Sequence, residues 1–140
     1  MRTIFTILLA CVIHISICAQ RPQFEYMLYG KSYSYVKAKY GDAGFKPMSM
    51  GMYSGHFSVV FLSPVPQFAA IGYKFDQDKC IIIELYLKSG NIKKIRRILN
   101  SDDKLTKLAK DVWISEMERI ELKDQVGPAG KTLYLECTKL

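Results

Sequence analysis

The sequence is short of the residues that most catalysis needs. Two histidines occur in 140 residues, His14 and His56, and His14 lies in a segment expected to be removed. A Ser-His-Asp or Cys-His arrangement could therefore use His56 alone. G-x-S-x-G, H-E-x-x-H and a glycine-rich phosphate loop are all missing. Gly30-Lys31-Ser32 has the ending of such a loop, but the full motif needs glycine at position 25, which holds Glu25. Past the N-terminus no apolar run approaches the ~20 residues of a membrane span. Repeats, low-complexity tracts and internal linkers are absent as well. Together these absences argue against an enzyme and leave no cofactor to expect.

The N-terminus has a clear pattern. A basic start, Met1-Arg2-Thr3, precedes a 14-residue apolar run from Ile4 to Ile17 and then "SICAQ". That order is a secretory signal peptide, expected to span residues 1–19 with cleavage after Ala19. Lipid anchoring at Cys18 is the weaker alternative, because Ile17 stands where a small residue is needed. The product is expected outside the cytoplasm, periplasmic or secreted, as one domain over residues 20–140. No transmembrane segment remains after cleavage. One core suits a chain of that length.

Charge is unevenly spread. The 20–140 segment holds 19 Lys and Arg against 13 Asp and Glu, a net +6. Residues 88–110 hold eight of the bases and two of the acids, so this stretch carries the whole excess. It includes "SGNIKKIRRILN", residues 89–100. Ile92, Ile95, Ile98 and Leu99 form the apolar stripe of an amphipathic helix, with Asn91 placed to cap it. The bases fall off that stripe, toward solvent.

Elsewhere, Ser32–Tyr40 reads as a helix capped by Ser32 and stopped by Gly41, with Tyr33, Val36 and Tyr40 on one face. His56–Leu62, Phe68–Phe75 and Cys80–Leu87 read as strands, the last two joined by the polar "DQDK". In the third, Ile81, Ile83, Leu85 and Leu87 share a core face; Cys80, Ile82, Glu84 and Tyr86 share a half-exposed one. Residues 101–111 favour a hairpin turning at Lys110-Asp111 over a helix. Val112–Ser115, Arg119–Leu122 and Thr132–Thr138 follow as strands, with a Gly127–Gly130 turn. The expected fold is α+β: a single small domain, an antiparallel sheet with two helices packed on one face. This layout resembles small exported bacterial proteins of the inhibitor or envelope-assembly type in its first helix and element order. The resemblance carries over no functional residue.

Three functional expectations follow. The first is a non-enzymatic binding domain, inhibitor- or immunity-like or envelope-associated. It would contact a protein or an anionic envelope component through Lys93, Lys94, Arg96, Arg97, Lys104 and Lys107. Clustered charge suits an anionic partner, and export disfavours nucleic acid. Tyr26, Tyr29, Tyr33 and Tyr35, too many for so small a core, would add contacts. The second is Cu(I) handling by Met48, Met50, Met52 and His56, since thioethers are soft ligands; the plainer reading is a strand whose methionines pack on the core. The third is an enzyme using paired carboxylates; Asp76 and Asp78 are close, but acids are common in turns. Cys11 and Cys18 leave with the signal. Cys80 and Cys137 remain, and a disulfide would close about 58 residues, worth ~4 kcal/mol. Cys137 lies on a core face with Leu133 and Leu135 and Cys80 on the opposite one, so a bridge and two separate thiols both stay open.

Overall fold

Two tight turns set the geometry of the first half of the sheet. Ser54-Gly55 and Gln77-Asp78 are two-residue connections in which all four residues have positive φ. Such pairs match the right-handed twist of the flanking strands. They join β1 (Pro47–Tyr53) to β2 (His56–Leu62), and β3 (Phe68–Asp76) to β4 (Lys79–Leu87). The protein is seen here as a computed structural model, which describes residues 25–128 and 130–140. The expected signal peptide, residues 1–19, and Cys18 lie outside the described residues.

Before β1 comes α1 (Tyr33–Asp42). Its N-terminus is satisfied twice. The Tyr35 N–H donates to Ser32 Oγ at 3.2 Å, as expected, and the Tyr33 N–H donates to Asp78 Oδ1 at 3.0 Å. The expected stop at Gly41 does not occur. Gly41 stays helical, Ala43 is the C-cap, and the left-handed residue is Gly44, at φ +83°.

After β4 the chain forms α2 (Ile92–Ser101), then β5 (Thr106–Ala109), β6 (Val112–Ile114), β7 (Glu118–Gly127) and β8 (Gly130–Lys139). The hairpin across 101–111 is present, with Lys110-Asp111 at its turn. β7 and β8 exceed their expected bounds because their ladder runs unbroken to a Gly127–Gly130 pair. All eight strands form one antiparallel sheet in the order β1-β2-β3-β4-β8-β7-β6-β5. Two four-stranded meanders thus meet at β4 and β8, and the segment containing α2 carries the chain from the middle of the sheet to its far edge.

The core follows from the register. Val59, Tyr73, Ile83, Cys137, Ile120 and Trp113 are successive cross-strand partners over six strands, and all are buried. Val36 and Tyr40 of α1 and Ile95 and Leu99 of α2 join this core. Tyr40 stacks on Phe61 at 4.0 Å between ring centroids. Its hydroxyl lies 2.8 Å from that of Tyr73, and Tyr73 donates to the Tyr26 carbonyl at 2.8 Å. Tyr73 has one proton to give, so Tyr40 donates to Tyr73. Burial raises both phenol pKa values well above the ordinary tyrosine value.

Three expectations about β4 need correction; the first is Ile81, expected on the core face, which the bulge leaves without a register partner and only partly buried. Cys80 is on the core side, 1% exposed. A bulge pairs Phe75 with Cys80 but Lys74 with Ile82, so strict alternation fails there. Glu84 is 5% exposed rather than half-exposed, for a reason given below.

Replacing Tyr73 by Phe removes the acceptor for Tyr40 and the donor to Tyr26. We expect a loss of about 1–3 kcal/mol, read as a lower urea midpoint with an unchanged slope.

Candidate functional site

The basic surface is built on α2, and the helix is held at both ends. Near its start, Asn91 Nδ2 donates to the Gln67 carbonyl at 3.1 Å. Near its end, Trp113 Nε1 donates to Asn100 Oδ1 at 3.0 Å. With Ile95 and Leu99 buried, Lys93, Lys94 and Arg97 are exposed. Lys104 and Lys107, beyond the helix, are exposed too. None of these five side chains is in a salt bridge among the described residues.

Arg96 is different. Its Nε and Nη2 donate to Asp111 Oδ1 and Oδ2 at 2.8 and 2.7 Å, a two-point clamp from the helix to the β5–β6 turn. Asp111 sits at φ +60°, and its carbonyl accepts the Leu122 N–H at 2.9 Å. The Arg96 hydrogen bonds hold the Asp111 carboxyl below the usual carboxylate range; Lys110 and Lys107 act in the same direction. Arg96 is thus spent on the fold rather than offered to a partner. Beside the clamp lies a groove of about 690 Å³ whose lining includes Ile92, Leu122 and Leu133, with Arg96, Lys110 and Asp111.

The expected N-cap fails in an informative way. Asn91 makes no side-chain cap bond, and the first turn has no acid. Its places are taken by Lys93 and Lys94, which face the positive end of the helix dipole. Cations there are unfavourable by about 0.3–1 kcal/mol.

The methionines lie on β1, at the edge of the sheet. Met48, Met50 and Met52 are 57%, 52% and 68% exposed, so they do not pack on the core as the plainer reading required. β1 is an edge strand, and its outer flank has no neighbour in the sheet among the described residues. Met52 pairs with Phe57 and Met50 with Val59, while His56 pairs with Tyr53. Strand alternation therefore puts His56 on the face opposite Met50 and Met52. The four expected copper ligands do not converge.

Asp76 and Asp78 part ways as well: Asp78 serves the α1 N-terminus, and Asp76 pairs with Lys79 across the turn. Of the four crowded tyrosines, Tyr26 is buried, Tyr29 and Tyr33 are partly buried, and Tyr35 alone is exposed, with the Lys31 ammonium 4.9 Å from its ring centroid. Cys80 and Cys137 are both buried. Burial pushes the Cys80 thiol up to about 12.

Carboxylates gather elsewhere, on the sheet face away from the buried row. Glu84, Glu136 and Glu121 are successive cross-strand partners on β4, β8 and β7. Each has a cation: Lys74 lies 2.6 Å from Glu84, Lys123 2.6 Å from Glu136, and Arg119 3.1 Å from Glu121. Tyr86 donates to Glu84 at 2.9 Å, its own pKa raised by burial and then by that carboxylate. Gly72 completes the cover, since a Cβ there would meet Glu84 Oε2 at 3.1 Å. This network explains why Glu84 is buried. Its one signal in the sequence is a lone acid within "CIIIELYL". Among the described residues no group of three or more His, Cys, Asp or Glu is placed to hold a metal ion. Nor is any described helix long and apolar enough to cross a membrane.

Comparison with protein-family models, with curated proteins and with solved structures finds no match.

Two outcomes follow from these ion pairs. Lys74→Met strands the buried Glu84 carboxylate and should cost about 3–5 kcal/mol; the double change with Glu84→Leu should recover much of that, both read by chemical denaturation. Asp111 titrates lower in the folded chain than in the unfolded one. Its clamp therefore stabilises fully above about pH 4, and the contribution is lost as pH falls through the lowered value. Asp111→Asn should flatten that part of the acid unfolding profile.

Proposed function

We propose that the chain is an exported, non-enzymatic binding domain. It docks an anionic macromolecule, a protein or a component of the cell envelope, on Lys93, Lys94, Arg97, Lys104 and Lys107. The observation that carries this reading is the start of α2. A solvated basic face needs no cation at the positive end of its helix, where each one is unfavourable. Here two lysines occupy the turn where acids would stabilise the helix, and the capping asparagine is turned to Gln67 instead. A sequence that departs from a local rule without structural gain points to a use for the departure. Arg96 leaves the expected set, because Asp111 neutralises it.

Export is supported by the apolar run Ile4–Ile17 and the small-residue site ending at Ala19. We also infer that both helices cover the same sheet face. Tyr40 of α1 bonds to Tyr73, Asn100 of α2 bonds to Trp113, and these two partners belong to one buried row. The basic side of α2 then looks away from the sheet.

The test uses the double variant Lys93→Glu, Lys94→Glu. It should be more stable than the parent by about 0.3–1 kcal/mol per site, yet fail to retain partners from the producing cell's envelope and medium. Capture by the parent should weaken as salt rises. Equal capture by both proteins would sink the proposal, whatever the stability change.

A further inference from the structure

We propose that β1 is a self-pairing edge: two copies of the chain join β1 to β1, antiparallel, across a two-fold axis at Met50.

Among the described residues the sheet has two edges, β1 and β5. Unpaired edges invite strand addition, and proteins commonly block them with short strands, bulges and charges. β5 has all three: four residues, a register shift between Lys107 and Ala109, and Lys107 itself. β1 has seven residues and no charged side chain, and its one irregularity lies at its start, between Pro47 and Ser49. The gap extends further: residues 47–73 contain no Lys, Arg, Asp or Glu. In a chain of net charge +7, this edge lets two copies approach without like-charge contact.

The backbone is positioned for the contact. Tyr53 and His56 flank a two-residue turn, so they form the closing hydrogen-bonded pair. Bonded and non-bonded pairs alternate along an antiparallel ladder. Met52↔Phe57 and Met50↔Val59 are then non-bonded pairs, and the backbone N–H and C=O of Met50 and Met52 point to the free edge.

The sequence suits a two-fold. "MSMGM", residues 48–52, presents methionine at the same places in either direction. With Met50 opposite Met50 of the second copy, Ser49 faces Gly51 on the other side, while the register shift between Pro47 and Ser49 takes Met48 out of the regular ladder. Met50 and Met52 of each copy, all more than half exposed, lie on one face, and four flexible thioethers would pack together there, an arrangement to which methionine adapts well. The outcome is a continuous sheet of sixteen strands, twice the eight present. This interface is separate from the α2 surface, and its test does not depend on that reading.

The experiment is sedimentation of the purified protein over a concentration series, with three variants. The parent should be dimeric at micromolar concentrations. Met50→Lys sets two cations against each other at the axis and should weaken the dimer by roughly a hundredfold, with the urea midpoint unchanged. Met50→Cys should form a disulfide-linked dimer on mild oxidation, because hydrogen-bonded partners across a ladder lie about 5.5 Å apart at Cα. Leu108→Cys, exposed on the β5 edge, should not. A parent that stays monomeric, or a dimer that survives Met50→Lys, overturns the proposal. So does equal cross-linking by both cysteine variants, or β1 occupied only by an unrelated extended peptide.

Discussion

The fold depends on the pairing of β4 with β8. Each meander alone would be a four-stranded sheet with two open edges and half a core. The ladder from Ile82↔Thr138 to Tyr86↔Tyr134 joins them, and the buried row from Val59 to Trp113 is continuous only because of it. The partners Ile83 and Cys137 are 54 residues apart. Contacts of such separation must overcome loop-closure entropy before they stabilise anything. The lysine–glutamate pairs lie on the outer face of this same junction. Lys74–Glu84 secures the β3–β4 side and Lys123–Glu136 the β7–β8 side, so the polar face and the core brace one seam.

Because β8 occupies the centre, the chain leaving β4 must cross to the far edge to begin β5. α2 lies on that route. This explains why it is fixed at both ends by asparagines and clamped in the middle by Arg96–Asp111. A helix so restrained can carry unfavourable first-turn lysines at a tolerable cost of a few tenths to one kcal/mol. The crossover is therefore both a topological necessity and the place where the domain can hold charge rigidly.

Local features were legible in the sequence; distant pairings were not. The amphipathic stripe identified α2, and Ile95 and Leu99 are buried as that periodicity requires. The Ser32 cap, the "DQDK" hairpin and the turn at Lys110-Asp111 all follow from short-range chemistry. Cys80 was misplaced because a bulge resets alternation, and a bulge depends on the neighbouring strand. Glu84 was misjudged because its burial relies on Lys74, Tyr86 and Gly72, which approach through pairing and side-chain geometry. Arg96 looked like its neighbours until Asp111, fifteen residues on, was brought to it. The alternating methionines read as a core-facing strip; only the strand order reveals that β1 has no neighbour among the described residues.

The chain has a single tryptophan, Trp113, buried on β6 with its indole N–H held by Asn100 at the end of α2. Its emission therefore reports the packing around β6, the seating of the crossover helix included. A ligand that merely rests on the lysines would leave the spectrum unchanged. One that draws α2 away from the sheet would wet the indole and shift its emission to the red, an intrinsic optical signal that needs no label.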